Sequence, residues 1–301
     1  MVLGIVGIEI ALFSLILHLI YIVRQTFGRL YEKGVCHLFY IFKEQHLSIM
    51  SYNSSRGGSF LGSIPDITKN LLIINVLMWI ATMALQTRGV HLEKWFALHF
   101  WQAGDFMPWQ IVTYMFMHDF SSVQGGLLHL FCNMFNLYMF GALLERMLGA
   151  KRYLVYYLVC GVGAGIVQEL VWQLTWVGDV ASALGVSAAE AQNAINAGQI
   201  GDLADFLNLR YLTVGASGAV FGLLLAFGMS FPNLKMFIIP FPFPIKAKWM
   251  VIGYGVFELV CGTQGMMSGV AHFAHLGGML FGILMILYWK HTGVIRKNDY
   301  I

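Results

Sequence analysis

Residues 270–289 read VAHFAHLGGMLFGILMILYW, a run of 20 residues that contains no Asp, Glu, Lys or Arg. A helix of about 20 apolar residues is long enough to cross the hydrocarbon core of a bilayer, which is about 30 Å thick. The run is apolar throughout, whereas a membrane β-strand alternates apolar and polar residues. The stretch therefore predicts a transmembrane helix.

Five earlier segments have the same character, with approximate bounds 70–88, 125–145, 152–173, 211–231 and 248–263. The chain of 301 residues is 58% hydrophobic and only 11% charged, whereas about 25% of the residues in a soluble domain are charged. This composition excludes a water-soluble enzyme, a disordered chain and a nucleic-acid-binding protein. It predicts an all-α, polytopic membrane bundle with a six-span core at residues 69–290, in contact with the lipid bilayer.

Basic residues separate onto alternate sides of the six spans. Of the 18 Lys and Arg residues, all but Arg88, Lys94 and Arg210 fall on one side. Because cytoplasmic loops carry the excess of Lys and Arg, both ends of the core are predicted to lie in the cytoplasm. Residues 291–301 are then a cytoplasmic tail. The bare six-span core favours a bacterial plasma membrane.

The N-terminal residues 1–49 form a predicted extension, followed by a polar cytoplasmic linker at 50–68. Residues 2–23 are apolar apart from Glu9 and His18. Two interpretations stay open. The segment is an added span, which makes an organelle membrane possible, or the true start is Met50.

Two outer loops are unusual. The loop 89–124 is rich in aromatic residues, and it either lies partly in the outer leaflet or forms an ordinary aromatic belt. The loop 174–210 is acidic and rich in Ala around 181–197. It predicts a short surface helix with a solvated acidic face, to which no chemistry is assigned.

Polar groups within spans are costly and tend to mark function. In the second span, His129 and Asn133 are four residues apart and therefore share one helix face. Both side chains can donate hydrogen bonds. They either join neighbouring helices or act as donors in a reactive site.

The fourth span contains Gly215-Ala216-Ser217-Gly218. A single GxSG match is weak, and it is not the GxSxG elbow of soluble hydrolases because position 219 is Ala. The match indicates either a patch of small residues for helix packing or a nucleophilic serine.

The sixth span places His275, Gly278 and Gly282 on one helix face. Gly278 and Gly282 form a GxxxG pattern, which lets another backbone approach closely, and the fourth span offers Gly218 and Gly222. The pattern fits simple helix packing around a buried histidine as well as a reactive histidine.

The remaining polar and sulfur-bearing groups in the spans are interpreted as structural. Glu169 and Glu258 are expected to be separate hydrogen-bonding groups rather than a two-carboxylate site. The cysteines show no CxxC spacing and indicate small core residues rather than disulfides or a metal site; they are Cys36, Cys132, Cys160 and Cys261.

Three of these polar groups are predicted to lie at the same depth in the membrane. His129, Ser217 and His275 lie a few residues inside the outer ends of their spans, which places them in one layer roughly 6–9 Å below the outer boundary. A serine needs a neighbouring base to become a nucleophile, and a neutral imidazole is suited to that task. His129, Asn133 and the Ser217 N–H are candidate donors to an oxyanion. No Asp lies nearby in sequence to orient His275, so a dyad is predicted.

The residues resemble the rhomboid family of intramembrane serine proteases over about 65–290. The matches are, in chain order, Trp109-Gln110-Ile111-Val112-Thr113, Phe116-Met117-His118, His129-x-x-x-Asn133, Glu145-Arg146-x-x-Gly149, Gly215-x-Ser217-Gly218 and Ala274-His275-x-x-Gly278-x-x-x-Gly282.

The resemblance implies a serine endopeptidase that cleaves in or near transmembrane segments of other membrane proteins. It further implies that no metal and no cofactor take part, and that the active site opens on the extracytoplasmic side. The implied roles are Ser217 as nucleophile, His275 as general base, and His129 with Asn133 as the oxyanion pair. The supporting residues are Gly215, Gly218, Phe221, Gly278 and Gly282.

Three positions depart from the family pattern or are ambiguous. Gln110 stands where some members have Arg, and Phe221 stands where some have Tyr, although Phe can still stack on His275. His272 competes with His275 for the role of base, but only His275 is followed by Gly at +3 and +7.

A catalytically inactive relative that binds membrane-protein clients is the alternative function. A transporter is disfavoured because the chain shows no inverted repeat.

Overall fold

Each of the six predicted spans contains a helix in the structure, a computed structural model that describes residues 64–236, 244–266 and 270–295. The described residues all belong to one compact unit, Phe60–Ile301. The predicted extension at 1–49 with its possible added span lies outside the described residues. The all-α membrane bundle is confirmed.

The described helices comprise long apolar helices and short ones. The helices in chain order are α1 (Asp66–Gln86), α2 (Glu93–Phe96), α3 (Gln110–Thr113), α4 (Val123–Asn136), α5 (Ala142–Leu148), α6 (Ala150–Leu184), α7 (Ala188–Asn196), α8 (Leu203–Arg210), α9 (Ser217–Ser230), α10 (Ala247–Gln264) and α11 (His272–His291).

Four helical stretches in the described residues are long and apolar enough to cross a membrane: α1, α6, α11 and the stretch Val123–Leu148. That stretch joins α4 to α5 through a π-helical segment, Leu137–Gly141. Helix α9 is apolar but has only 14 residues, so it is about 21 Å long and shorter than the hydrocarbon core.

Two predicted boundaries were wrong. The fourth span was expected to begin near residue 211, but α9 begins at Ser217 because the preceding residues form a strand and a turn. The third span was expected to end near 173, but α6 continues to Leu184, where Gly185 adopts a left-handed conformation and ends it. Residues 174–210 are therefore not one loop with a short helix, since they complete α6 and form α7 and α8.

Helix α1 begins under a cap supplied from a distant part of the chain. Its N-cap residue, Pro65, offers no side-chain cap. The buried Glu145 carboxylate instead accepts hydrogen bonds from the N–H groups of Ile67 and Thr68 at 2.9 and 2.7 Å, and from the Thr68 hydroxyl at 2.8 Å. A carboxylate at a helix N-terminus satisfies unpaired donors and complements the helix dipole.

Two short antiparallel ladders tie loops together. Strand β1 (Leu98–His99) pairs with β2 (Leu212–Thr213). Strand β3 (Lys235–Met236) pairs with β4 (Ile245–Lys246). The first ladder matters for the site, because β2 leads directly into the start of α9.

Helix α6 packs against both α9 and α11 at the centre of the bundle. Small residues allow this close packing. An added Cβ on Gly218 would collide with Ala164 of α6, and one on Gly278 would overlap the backbone carbonyl of Gly218. Helices α9 and α11 therefore touch backbone to backbone.

Candidate active site

Ser217 is the first residue of α9, and the turn before it is held by backbone contacts. Gly215 has a φ of 129°, which an L side chain rarely adopts. Its N–H donates to the carbonyl of Tyr114 at 3.0 Å. The first N–H groups of a helix have no partner within it and carry the positive end of its dipole, so the position of Ser217 suits the stabilisation of a developing negative charge.

Ser217 and His275 meet across the contact between α9 and α11. The Nε2 atom of His275 lies 2.8 Å from the Oγ atom of Ser217. Phe221, one turn after the serine, stacks on the imidazole with a centroid distance of 4.2 Å and an interplanar angle of 7°. The stacking fixes the plane of the ring, so Nε2 stays directed at the hydroxyl.

Glycines make this distance possible. A Cβ on Gly222 of α9 would lie 3.1 Å from the carbonyl oxygen of Gly278, and one on Gly282 would lie 3.4 Å from the Cα of Gly222. A side chain at Gly278 would overlap the backbone of Gly218 and push α11 away from α9, and the imidazole would then no longer reach the serine.

His129 lies beside the same turn. Its Nδ1 accepts a hydrogen bond from the N–H of Asp119 at 3.2 Å, so a neutral ring carries its proton on Nε2. An added Cβ on Gly215 would lie 3.0 Å from that Nε2 and 3.6 Å from Ser217 Oγ. The Nε2 donor and the hydroxyl therefore border the same space.

Asn133 is buried one turn further along α4. Its amide nitrogen donates to the carbonyl of His129 at 3.0 Å, and among the described residues its buried side-chain oxygen has no hydrogen-bond partner. The amide group has a second N–H, which is the group that could serve an oxyanion.

Glu258 of α10 approaches the same histidine from the other side. Its Oε2 lies 2.6 Å from Nδ1 of His272, in a well-aligned hydrogen bond. The same oxygen lies 2.9 Å from Nδ1 of His275, although this contact is not aligned as a hydrogen bond. Nε2 of His272 contacts the carbonyl of Met266 at 3.0 Å. Glu258 was interpreted from the sequence as a structural group, and its contact with the candidate base was missed.

Glu258, His272 and His275 are also a group that could hold a metal ion, since their ligand atoms lie within 4.8 Å of one another. Ligands of tetrahedral zinc, each about 2.1 Å from the ion, stand about 3.4 Å apart. The contacts of 2.6 and 2.9 Å are shorter. An ion would require these side chains to separate, whereas shared protons fit the distances as they are.

The residues 89–122 between α1 and α4, called the outer segment after the side of the membrane predicted for them, are cross-linked internally by Gln110 and joined to α6 by Glu169. The buried Gln110 side chain accepts from the N–H groups of His99 and Met107 at 3.2 and 3.1 Å. Its amide nitrogen donates to the carbonyls of Lys94 and Asp105 at 3.1 and 2.9 Å.

Glu169 accepts from the N–H of Trp101 at 3.0 Å, so this carboxylate has the structural role expected of it. Exposed tryptophans lie on the same outer segment, with Trp95 55% and Trp109 51% exposed.

His118 lies in the outer turn before α4, and its ring meets that of His129 edge to face at 5.1 Å. Burial, with a smaller contribution from His129, lowers the pKa of His118 to about 3. His118 is therefore neutral at physiological pH. It cannot place a positive charge next to the oxyanion candidate.

The fold and the contact between Ser217 and His275 define a polytopic membrane protein with a serine–histidine pair at the end of a short buried helix. A family model of the Rhomboid domain matches residues 105–291, which is more than half of the chain. The chain belongs to the rhomboid family.

Three relatives from Arabidopsis thaliana are similar to the chain. Rhomboid-like protein 11, chloroplastic, is 28% identical over 238 residues, which cover 72% of this chain and 62% of the relative. Rhomboid-like protein 6, mitochondrial, is 26% identical over 59% of this chain and 42% of its own length. Rhomboid-like protein 4 is 29% identical over 64% of this chain and 37% of its own length.

The aligned region covers less than two thirds of each of these relatives. Two of them are named for mitochondria and chloroplasts. The prediction of a bacterial plasma membrane is therefore not supported, and the supported statement is that the chain is a membrane protein.

Proposed function

We propose that the chain is an intramembrane serine endopeptidase that hydrolyses peptide bonds in or near transmembrane segments of other membrane proteins. The observation that carries this proposal is the distance of 2.8 Å between His275 Nε2 and Ser217 Oγ. A hydroxyl and an imidazole at this distance have the geometry of a nucleophile and its base.

The reaction follows from these atoms. Ser217 Oγ forms a bond with the carbonyl carbon of the substrate while its proton passes to His275 Nε2. The peptide C–N bond then breaks, and His275 returns the proton to the leaving amine. A water molecule then attacks the acyl carbon and loses its proton to His275. The bond from that carbon to Ser217 Oγ breaks, His275 returns the proton to Oγ, and the carboxylic acid product leaves the regenerated serine.

The oxyanion of each tetrahedral intermediate is assigned to donors around the Gly215 turn. They are the backbone N–H of Ser217, the Nε2–H of His129 and the free N–H of Asn133. Each preorganised donor of this kind contributes about 3–4 kcal/mol to the stabilisation of a transition state. Ser217 is the first residue of the 14-residue helix α9, and we propose that this end of the helix lies below the outer membrane boundary and opens on the extracytoplasmic side, where a substrate helix and water can both reach it.

The first experiment measures cleavage of a model transmembrane substrate by the purified protein in proteoliposomes. Ser217→Ala and His275→Ala are expected to abolish cleavage, because each removes a reacting group. A fluorophosphonate probe is expected to label the wild type and not Ser217→Ala. The matched control is Ser230→Ala, which removes a buried hydroxyl at the other end of α9 and should leave cleavage intact.

Three outcomes count against the proposal. Full activity of Ser217→Ala would exclude the serine. A wild-type protein that folds but neither cleaves nor reacts with the probe would favour the catalytically inactive, client-binding relative. Complete loss in His272→Ala together with an active His275→Ala would move the base to His272.

A further inference from the structure

The buried carboxylate of Glu258 lies next to the serine–histidine pair, but the mechanism described so far gives it no role. Charged groups at membrane depth are costly unless they are paired, and only about 5% of Glu258 is exposed. It lies on α10, whereas both of its partners, His272 and His275, lie on α11. The carboxylate therefore acts across the contact between two helices.

The proton positions follow from the acceptors. His275 Nε2 has to accept the Ser217 proton, so the neutral base carries its own proton on Nδ1. That Nδ1 lies 2.9 Å from Glu258 Oε2. A carboxylate there favours the tautomer with its proton on Nδ1. The other tautomer carries its proton on Nε2 and could not accept the proton of the Ser217 hydroxyl.

His272 supports the carboxylate from behind. Among the described residues, its two ring nitrogens contact two acceptors, Glu258 Oε2 at 2.6 Å and the Met266 carbonyl at 3.0 Å. The Glu258 carboxylate is therefore held between the rings of His272 and His275. A continuous series of polar contacts therefore leads from His272 through Glu258 and His275 to Ser217.

We infer that Glu258 is a positioning residue for the proposed peptidase, and that its carboxylate fixes the tautomer of His275 and stabilises the imidazolium formed when Ser217 is deprotonated. This inference rests on the proposed function. The site is then a Ser217–His275–Glu258 triad rather than the dyad predicted from sequence. The unaligned contact of 2.9 Å fits a resting enzyme, because catalytic hydrogen bonds often tighten only when substrate is bound.

The experiment compares wild type, Glu258→Gln and Glu258→Asp by kcat, KM and the pH profile of kcat/KM. Active sites are counted with the fluorophosphonate probe, so that unfolded protein does not enter kcat. In Glu258→Gln, kcat is expected to fall about 100-fold with KM nearly unchanged, because the tautomer is no longer fixed and the imidazolium is no longer stabilised. Glu258→Asp keeps the charge and should recover part of the loss.

The pH profile of kcat/KM distinguishes a positioning role of Glu258 from a purely structural one. The titratable groups that face His275 in the described residues are Glu258 from α10, His272 from its own helix and His129 from α4. Replacing Glu258 by Gln removes a negative charge next to the imidazolium that forms during the reaction, so the acidic limb of kcat/KM should move to lower pH. The matched control is Glu169→Gln, which removes a buried carboxylate whose hydrogen bond within the described residues comes from Trp101, and which should leave the profile unmoved.

The outcomes distinguish the two proposals. A wild type without Ser217-dependent cleavage overturns the proposed function, and this inference falls with it. An active wild type whose Glu258→Gln variant has the same kcat and profile overturns the inference alone, as does a variant that loses active sites without a shift in profile. If Glu258→Gln does not fold, Glu258→Asp decides: its shorter side chain withdraws the carboxylate from His275, so an unchanged kcat there also overturns the inference.

Discussion

At the scale of single residues, Gln110 shows how an uncharged side chain can hold the outer segment. It is fully buried. Its amide oxygen accepts two hydrogen bonds and its amide nitrogen donates two, all with backbone groups of residues 94–107. An Arg at this position could supply donors but could not accept from the two N–H groups. The backbone of this segment therefore needs a side chain that both accepts and donates hydrogen bonds, as Gln110 does.

Gln110→Ala is expected to destabilise the outer segment, because four buried backbone groups lose their partner at once and each such loss costs about 1 kcal/mol or more. Limited proteolysis should show faster cleavage within 89–122, and thermal unfolding should begin at a lower temperature. Gln102→Ala is the control, since among the described residues the exposed Gln102 side chain donates one hydrogen bond, to Gln173. Equal protease resistance in both variants would contradict this role.

At the scale of secondary-structure elements, the seam between α9 and α11 sets the distance between the two reacting side chains. The helices belong to separate parts of the chain, and Ser217 and His275 are 58 residues apart. Their alignment depends on the contact of Gly218 with Gly278 and of Gly222 with Gly282. A change of about an ångström at this seam would break the hydrogen bond between Ser217 and His275.

Gly278→Ala should abolish most of the activity, because its Cβ would overlap the Gly218 carbonyl and backbone atoms cannot turn aside as a side chain can. Overpacking of this kind costs about 1–3 kcal/mol, so the melting temperature should also fall. Gly253→Ala on α10 is the control, since nothing lies within 4 Å of its added Cβ. A Gly278→Ala protein with wild-type turnover would show that the seam does not set the catalytic distance.

At the scale of the whole molecule, hydropathy predicted the six helical segments because each carries its own apolar run. It could not predict where α9 begins, since the positive φ of Gly215 and the pairing of β2 with β1 depend on distant residues. The candidate pair of Ser217 and His275 could be selected from motif spacing. The contact of Glu258 with His275 could not, because it depends on the rotation of α10 about its axis, and a lone carboxylate in a span names no partner.

The stability of the whole molecule should depend on the buried His118. Its pKa is about 3 in the folded protein, chiefly through burial, against an ordinary value of 6.5. Between these values the unfolded chain binds a proton that the folded chain does not. Stability is therefore complete above about pH 6.5 and decreases as pH falls below it, by about 2 kcal/mol at pH 5. Burial also lowers the pKa of His99, which acts in the same direction.

His118→Gln removes this titration, so its unfolding free energy should vary less steeply than that of wild type between pH 6.5 and pH 4, whatever its absolute stability. Chemical unfolding in detergent at a series of pH values measures the two slopes. The control is His291→Gln, which replaces an exposed histidine at the end of α11 in place of the buried one. Parallel curves for wild type and His118→Gln would mean that His118 gains a proton without unfolding, and acid sensitivity would then arise from the carboxylates.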